Sequence, residues 1–455
     1  MYSHPLQLHY VDILDTLKDN KIMIPQKISS IWNVKQKQSI HIQYHFFKEE
    51  CVIEISENIL DKTMFVSKNI AEKLHIPLNQ RVQCFYDQEE KTFHFGPSIG
   101  MVIGEGFSSR EQMLGTITNY AQSMAIKARE LYLPFFVFSF QSTTSEIVHG
   151  YQYDGEKWEN RSFPLPHVVY NRIGRRDQEN SSAGKEFFHI LKKNNIPYFN
   201  HRFINKWDSY KMLSEEPTLA PYLPKTIKIS TKEDFLNLFD EYDHFYLKPC
   251  WGKEGIGIMS IAKEKDSYYI QYPLHQESDT KSFKKRKSIY QFLKYKFSRR
   301  QYIAQPRINT ILYHNAPVDF RVLCIKDHYG EWRSCSAVAR IGNENNIVTN
   351  LSQGGTQVKP RVVLNHAFDE NRANQMERLL HELAIHAAES FDLATIGQYG
   401  ELGFDFMIDQ DGRIYILEVN IKPSKGDSLQ SQTKMLPSIK YVLSYASSLT
   451  RFVQS

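Results

Sequence analysis

Cysteine is scarce in this sequence, and its spacing is not that of a metal site. The five cysteines are Cys51, Cys84, Cys250, Cys324 and Cys335, an odd number with no CxxC pair among them. Neither a disulfide framework nor a structural zinc site is predicted from such a set. A reducing, cytoplasmic environment is the simplest interpretation.

Long apolar runs are also missing. No stretch of about eighteen apolar residues occurs, and the N-terminal residues do not combine a basic region with an apolar one, so we expect no transmembrane helix and no export signal. Internal repeats and low-complexity segments are absent as well. With 455 residues, 24% charged and 41% hydrophobic, the chain is typical of a globular protein with two or three domains.

Excess charge of one sign is small. The net charge of +5 permits an anionic small substrate but is too weak to predict a nucleic-acid partner. Residues 281–300 are an exception, since basic residues surround an apolar set at helical spacing. One basic helix is more typical of a solvated helix face than of a polyanion site, and both interpretations stay open. The apolar set is Ile289, Phe292, Leu293 and Phe297.

The alternation of patterns divides the chain into three predicted domains. Short period-two runs between residues 38 and 105 predict a β-rich N-terminal module at 1–107. Mixed helical and strand patterns then predict a small α/β domain at 108–204. The rest, 205–455, forms the third domain, whose segment from about 225 to 305 we expect to be a distinct subdomain.

The stretch 403–420 predicts a β-hairpin with a metal site. If Asp411 and Gly412 form a two-residue turn, Asp405 lies opposite Glu418, with Asn420 on the same face. Such oxygen ligands suit Mg²⁺ or Mn²⁺, and Mg²⁺ usually shares its ligands with substrate phosphates. The same register predicts an apolar face on the other side, formed by Phe404, Phe406, Ile408, Tyr415, Leu417 and Val419.

A second pattern predicts phosphate binding. Lys248 ends a strand and precedes a loop with Gly252, Gly255 and Gly257, whose backbone N–H groups are able to approach phosphate oxygens. The loop is not a Walker A motif, because no Gly-Lys-Ser/Thr opens a helix. A tight β-hairpin bulge accounts for the glycines equally well. Lys206, at the start of a predicted helix, is a second candidate, although each lysine alone is more typical of a surface residue.

Two arginines on predicted strands are candidates for contacting a phosphoryl group or a substrate carboxylate. Arg321 and Arg340 carry guanidinium groups whose geometry suits such ligands. The alternative is that either arginine pairs with a local acid such as Asp319 or Glu344.

Three weaker features complete the set of candidates. Gln305 lies in the run Ile303-Ala-Gln-Pro306, and Asn350 to Thr356 form a glycine turn with several hydrogen-bonding groups, which is also typical of a plain loop. Asn171-Arg172 and Arg175-Arg176 are candidates for the entrance of an acceptor site, or form an unrelated surface turn.

In order, these pieces resemble the ATP-grasp superfamily, in particular its YheC/YheD-like, endospore coat-associated branch. The resemblance covers about residues 170–445. It implies ATP held between two α+β subdomains, with Lys206 and Lys248 on the phosphates, Gln305 near the adenine, and Asp405, Glu418 and Asn420 on two Mg²⁺ ions. Some ATP-grasp ligases have an arginine where this chain has Gly403, so Arg321 or Arg340 would have to stabilise an acyl phosphate instead.

The resemblance implies an ATP-dependent carboxylate–amine ligase, cytoplasmic and associated with spores. No Ser, Cys or His nucleophile stands out, which suits phosphoryl transfer by positioning and charge neutralisation. The carboxylate and amine substrates are not legible, and a peptide or polymer is among the candidates. Two alternatives remain: a non-catalytic spore-coat or morphogenetic protein that retains the fold, and an ATP-grasp kinase.

Overall fold

The computed structural model describes residues 9–17, 20–59, 63–77, 80–105, 113–252, 255–274, 277–342, 356–425 and 437–452. The chain divides into two compact units. The first contains Met1–Arg202, Lys326–Glu331 and Ser424–Ser455, and the second contains Phe203–Ile325 and Trp332–Pro423. Within the described ranges, no helix combines the length and the apolar character needed to cross a lipid bilayer.

The N-terminal part of the first unit is a closed barrel of seven strands. Ile40 and Ile42 are buried while Ser39 and His41 are exposed, which is the period-two pattern behind the predicted β-rich module. The strands and helices are β1 (His9–Leu14), β2 (Lys21–Pro25), α1 (Gln26–Trp32), β3 (Ser39–Tyr44), β4 (Phe47–Ser56), β5 (Thr63–Ser67), α2 (Lys68–Lys73), β6 (Val82–Asp87) and β7 (Thr92–Gly96). Their order is β1-β5-β2-β4-β3-β7-β6, and β6 closes the barrel on β1.

A six-stranded sheet follows the barrel. Its strand Ile99–Ile103 lies parallel to two later strands, so the predicted boundary after residue 107 assigns it to the wrong module. All five of its residues are buried, as a strand covered on both faces requires. The elements are β8 (Ile99–Ile103), α3 (Thr118–Glu130), β9 (Phe135–Thr143), β10 (Ile147–Tyr153), β11 (Trp158–Pro164), β12 (Val168–Asn171), α4 (Arg176–Glu179), α5 (Ser182–Lys193) and β13 (Tyr198–Phe199), and the strand order is β11-β10-β9-β8-β12-β13.

The second unit begins with a helix and an antiparallel sheet, which we name the Lys248 sheet. Its two covering helices bury apolar faces, including Ile289 and Leu293 of the basic helix, as its amphipathic pattern predicted. The elements are α6 (Lys206–Ser214), β14 (Ile227–Ile229), α7 (Lys232–Glu241), β15 (His244–Pro249), β16 (Met259–Glu264), β17 (Ser267–Leu274), β18 (Glu277–Phe283), α8 (Arg286–Arg299) and β19 (Tyr302–Pro306). The order of the sheet is β14-β19-β15-β16-β17-β18.

The other sheet of the second unit, the Asp405 sheet, packs against its longest helix. Leu380 and Ala387 of this helix share one core with Phe320, Phe404 and other sheet residues. The elements are β20 (Leu312–Tyr313), β21 (Ala316–Lys326), β22 (Trp332–Ile341), β23 (Thr356–Val358), α9 (Pro360–Ala367), α10 (Glu370–Ala394), β24 (Glu401–Ile408) and β25 (Ile414–Asn420). The order is β23-β22-β21-β24-β25, with β20 paired to β21.

The last helix, α11 (Pro437–Ser448), returns to the first unit. Its Tyr445 ring packs against Phe199, with 5.3 Å between the ring centroids. The predicted third domain, 205–455, is therefore too long, since its final helix completes the core of the preceding sheet. The remaining predicted boundaries stay predictions.

Candidate active site

A row of charged residues crosses the Asp405 sheet. Arg321 on β21 pairs in register with Asp405 on β24, and Asp405 pairs with Glu418 on β25. Asn420 lies two residues beyond Glu418, opposite Gly403. Residues directly opposite on antiparallel strands share a face of the sheet, so the predicted carboxylate pair and Asn420 point to the same side as Arg321.

The turn of the hairpin differs from the prediction, although the carboxylate pair does not. Asp409 pairs with Arg413, so the loop has three residues instead of two, and Gly412 adopts a left-handed φ of 85°. A β-bulge between the pairs Asp405–Glu418 and Phe406–Ile416 restores the predicted register at the site.

The same shift changes the apolar face of β25. Ile414 and Ile416 are the buried residues, whereas Tyr415 and Leu417, predicted to be apolar-face residues, are only partly buried. Val419 lies beyond the bulge and packs against the core as predicted. The pattern prediction failed between the turn and the bulge, because one added loop residue reverses the facing of every residue there.

Both arginines bind carboxylates. Arg321 donates to Asp405 through Nε (2.6 Å) and through a terminal nitrogen (2.8 Å). Arg340 donates in the same bidentate way to Asp319, at 2.5 and 2.8 Å, and lies 3.1 Å from an oxygen of Asp405. The alternative that Arg340 pairs with Asp319 is therefore confirmed. Its other proposed partner, Glu344, lies outside the described residues.

This pairing fixes the charge state of the row. Burial by itself raises the pKa of the Asp405 carboxyl, but Arg321 and Arg340 outweigh burial and hold that pKa well below its usual range. Burial likewise opposes the charge of Arg340, and Asp405 and Asp319 outweigh it and raise the pKa of the guanidinium. Asp405 is thus an anion at every physiological pH, which is the state a metal ligand needs.

Lys206 reaches this row from the start of α6. The side chain of Asn205 caps the helix by accepting from the Asp208 N–H at 2.9 Å. The backbone N–H of Lys206 donates to the Cys250 carbonyl at 3.0 Å, which joins the helix start to the end of β15. The ammonium group of Lys206 forms an ion pair with Glu418.

Lys248 is held on the Lys248 sheet by a neutral partner. Its ammonium group donates to Oε1 of Gln305 at 2.6 Å. Burial lowers the pKa of Lys248 to about 8, and the charge of Lys206 acts in the same direction while Glu418 and the acids of the row oppose it. Lys206 thus contacts Glu418, and Lys248 lies within electrostatic range of the same carboxylate.

The glycine loop after Lys248 is a tight turn. Gly255 and Gly257 have left-handed φ angles of 73° and 82°, and the Ile258 N–H donates to the Gly255 carbonyl at 3.1 Å. These two glycines are required by the backbone. Gly252 is not, since a Cβ added there meets only ordinary contacts. The turn geometry fits the alternative interpretation, and phosphate binding by the loop stays a prediction.

The donors that remain on the row fit a divalent cation. Asp405 Oδ1 accepts one hydrogen bond, from Arg321, and so keeps a lone pair, while its Oδ2 accepts from several groups. Asn420 uses its nitrogen on Asp405, which leaves its oxygen as an acceptor. Glu418 contacts Lys206 through Oε2. The remaining oxygens form the hard donor set that Mg²⁺ prefers.

Two weaker sets of candidates remain, Asn171 to Arg176 and the glycine turn at Asn350 to Thr356. Asn171 is fully buried, and its amide donates to Glu179 at 2.9 Å, while the exposed Arg175 pairs with Asp177. The surface-turn alternative thus fits the exposed Arg175 and Arg176 but not Asn171, which ends the buried strand β12. A place for any of them at an acceptor entrance stays a prediction. The glycine turn predicted at Asn350 to Thr356 lies, apart from Thr356, outside the described residues.

A family model described as YheC/D-like ATP-grasp matches residues 195–449 of this sequence. The chain belongs to the YheC/D-like ATP-grasp family. Its fold is therefore the α+β ATP-grasp fold, which implies a nucleotide-binding site.

Relatives from this family align over most of the chain. The endospore coat-associated protein YheD of Bacillus subtilis is 26% identical over 90% of this chain and 89% of its own. YheC of the same organism is 26% identical over 69% of this chain and 86% of its own. Among solved structures, D-alanyl-alanine synthetase A from Vibrio cholerae has 14% identity and a TM-score of 0.48, covering 78% of this chain and 98% of that one.

Sequence reasoning missed one member of this site and undervalued another. Thr226, at the start of β14, accepts from the Gln305 amide at 2.9 Å and carried no sequence signal beyond its place before a strand. Asp319 was considered only as an alternative partner for an arginine. Its spacing of two from Arg321 on a strand places the two on one face, and that spacing was the available signal.

Proposed function

We propose that this protein is an ATP- and Mg²⁺-dependent ligase that activates a carboxylate as an acyl phosphate for attack by an amine. One observation carries the proposal: hard oxygen donors on Asp405, Glu418 and Asn420 lie within one unit beside Lys206 and Lys248. A set of anions next to cations matches a metal–nucleotide complex, in which the cations contact phosphates and the anions contact metal.

In this proposal each side chain has one task. Asp405, Glu418 and Asn420 would hold two divalent ions, which would neutralise the phosphate oxygens. Lys206 and Lys248 bind the phosphate chain, with the N–H groups of Gly252, Gly255 and Gly257 beside it. Lys206 now pairs with Glu418, and a phosphate oxygen that replaced Glu418 at this ammonium would free the carboxylate to act as a metal ligand.

The chemistry has two steps that balance without an added reactant. A carboxylate oxygen of the substrate attacks the γ-phosphorus of ATP, and the bond to the β,γ-bridging oxygen breaks to release ADP. The amine then attacks the acyl carbon, inorganic phosphate leaves, and the amine nitrogen loses a proton. Neither step requires a covalent bond to the protein, in agreement with the lack of an activated nucleophile at the row.

The two arginines differ in what they offer to a substrate. Arg340 is 4% exposed and is bound to two carboxylates, so we assign it to positioning Asp405 and Asp319. Arg321 has a side chain 18% exposed and uses Nε and one terminal nitrogen on Asp405. Its other terminal nitrogen is the candidate for contacting the transferred phosphoryl group.

The names of two relatives support a link between the proposed reaction and spores. YheD and YheC are called endospore coat-associated proteins. A ligase in that setting acts on a carboxylate and an amine found in the developing spore, with peptides or polymers among the possible acceptors.

Substitution of Glu418 by glutamine tests the proposal most cleanly. Asp405→Ala also removes a metal ligand, but it leaves Arg321 without its counter-charge and Arg340 without one of its two, and so disturbs folding. We expect Glu418→Gln to lower ATP turnover at least 100-fold while the unfolding midpoint stays near that of the wild type. Asp411→Ala is the matched control, because this carboxylate is exposed at the tip of the same hairpin.

Turnover is measured as ADP release with cell extract as the substrate source, and products are identified by mass spectrometry. Adding hydroxylamine as the amine should give a hydroxamate, which reports an acyl phosphate. ATP turnover that transfers phosphate to a hydroxyl without hydroxamate would replace the ligase by a kinase. No binding of millimolar Mg-ATP in calorimetry would favour the non-catalytic alternative.

A further inference from the structure

A chain of three hydrogen-bonded side chains runs behind Lys248. The ammonium of Lys248 donates to Gln305 Oε1 at 2.6 Å, and Gln305 Nε2 donates to Thr226 Oγ1 at 2.9 Å. The hydroxyl of Thr226 in turn donates to the Pro224 carbonyl at 2.8 Å. The chain thus ends on the backbone, so every link has a fixed anchor.

Strand pairing brings these side chains together. In the Lys248 sheet, Tyr246 lies opposite Gln305 and Lys248 lies opposite Ile303, so Gln305 and Lys248 are diagonal neighbours on one face. On the other side of β19, Ile227 pairs with Ala304, and Thr226 therefore comes next to Gln305. Gln305 therefore forms a hydrogen bond to a side chain on each side of its strand, Lys248 on β15 and Thr226 just before β14.

This placement does not fit a residue that reads the adenine ring. Gln305 is 4% exposed, and both the oxygen and the nitrogen of its amide already have partners in the sheet. A residue that recognises a base presents a donor or an acceptor to the binding site. The geometry therefore favours contact with Lys248 over the role near the adenine that the family resemblance implies.

We propose that Gln305 is a positioning residue that holds the ammonium group of Lys248 in place for the phosphate chain of the nucleotide. The proposal rests on the proposed function, because it assumes that Lys248 binds phosphates. An ammonium has three N–H donors, and the bond to Gln305 uses one of them. Two donors remain for a ligand, in directions set by the third.

A neutral acceptor suits this task better than a charged or an apolar side chain. A carboxylate at position 305 would form an ion pair with Lys248 and neutralise much of the charge that attracts phosphate. A leucine there would leave the ammonium partly buried without its acceptor. The amide orients the lysine and leaves its full charge to the nucleotide.

Nucleotide binding by calorimetry separates positioning of Lys248 from recognition of adenine. We expect Gln305→Leu to weaken the binding of ATP and of GTP by the same factor, about tenfold. The variant loses one hydrogen bond to the charged Lys248, and Lys248 binds the phosphates of both nucleotides. Adenosine, which has no phosphate, should bind the variant as it binds the wild type. Gln301→Leu is the matched control, since this exposed glutamine lies just before the first residue of the same strand.

The double variant Gln305→Leu, Lys248→Met makes the test independent of general damage to the sheet. If Gln305 acts through Lys248, the double variant binds ATP no more weakly than Lys248→Met alone. Gln305→Glu keeps the size of the side chain and should also weaken the binding of ATP. It therefore serves as the test if the leucine variant fails to fold.

Two results would overturn the proposal. One is a change in the ratio of ATP to GTP affinity in Gln305→Leu, and the other is a full additional loss of affinity in the double variant. Wild-type protein that binds no nucleotide would instead refute the proposed function on which it rests. The outcomes are therefore distinguishable.

Discussion

The two sheets of the second unit hold their charged residues in opposite ways. In the Asp405 sheet, Arg340, Asp319, Arg321 and Asp405 alternate in sign, and each charge has an opposite charge within 3.1 Å. In the Lys248 sheet, the ammonium of Lys248 is held by the neutral amide of Gln305. In the Asp405 sheet the opposite charges neutralise one another, whereas in the Lys248 sheet a neutral amide holds the charge of Lys248 without neutralising it.

The difference follows from burial and from what each group must do. Asp405, Asp319 and Arg340 are at most 5% exposed, and charges so deeply buried persist only when they are paired. Lys248 is partly exposed, and a neutral acceptor is enough to orient it. Internal pairing gives the first sheet a rigid array, whereas the second keeps a charge that is available to a ligand.

The largest effect should come from breaking the paired array. Arg340→Ala leaves Asp319 and part of Asp405 without their counter-charge, and we expect the free energy of unfolding to fall by about 3–5 kcal/mol. Urea unfolding followed by tryptophan fluorescence measures it, since Trp332 lies on the same strand as Arg340. Arg286→Ala is the control: its ion pair with Asp240 is exposed and should contribute at most about 1 kcal/mol. Equal losses in the two variants would remove the contrast between the sheets.

An intermediate effect should appear in the pH dependence of nucleotide binding. Lys248 has a pKa lowered to about 8 from 10.5, so the folded protein loses this proton before the unfolded chain does. From this group, stability rises with pH between about 8 and 10.5, while ATP affinity falls because phosphate binding needs the ammonium. We expect the decline to approach tenfold per pH unit above 8.

Lys248→Met should bind ATP weakly and without this decline, and calorimetry across pH 7–10 makes the comparison. Lys263→Met, which alters a largely exposed lysine of the same sheet, is the control. A decline that persists in Lys248→Met would assign it to another group.

The smallest effect should distinguish two left-handed glycines. Gly412 in the hairpin turn and Gly257 in the loop after Lys248 have φ angles of 85° and 82°. Alanine at either position should cost about 1 kcal/mol of stability. Only Gly257→Ala should also weaken the binding of ATP, by about threefold, or roughly 0.6 kcal/mol. Calorimetry and urea unfolding of both variants provide the measurements, and a loss of ATP affinity in Gly412→Ala would contradict the assignment.

The sequence was informative wherever one strand or one hairpin decides the outcome. Period-two geometry predicts that Asp405 lies opposite Glu418, and the structure has this pair because the β-bulge offsets the extra residue of the loop. The helix at Lys206 was signalled by its Asn205 cap, and α8 by its apolar stripe. These features depend on neighbours within about twenty residues, which a single sequence displays.

The rest depended on contacts between distant strands. The bond of Arg340 to Asp319 requires knowing that β22 lies beside β21, and the bond of Gln305 to Thr226 joins residues 79 positions apart. The error at Tyr415 and Leu417 has another cause, since the length of the turn was misjudged by one residue. Pattern alone favoured the two-residue turn, because Asp-Gly is typical of it.

The bulge in the hairpin lets the strand register near its tip differ by one residue from the register at its base. Between the turn and the bulge the strands are offset by one residue, and beyond the bulge the offset is gone. A gain or loss of one residue at the tip is thus absorbed before it reaches Asp405 and Glu418. Sequence comparisons of this hairpin should therefore be anchored at its base, where the two carboxylates lie opposite each other.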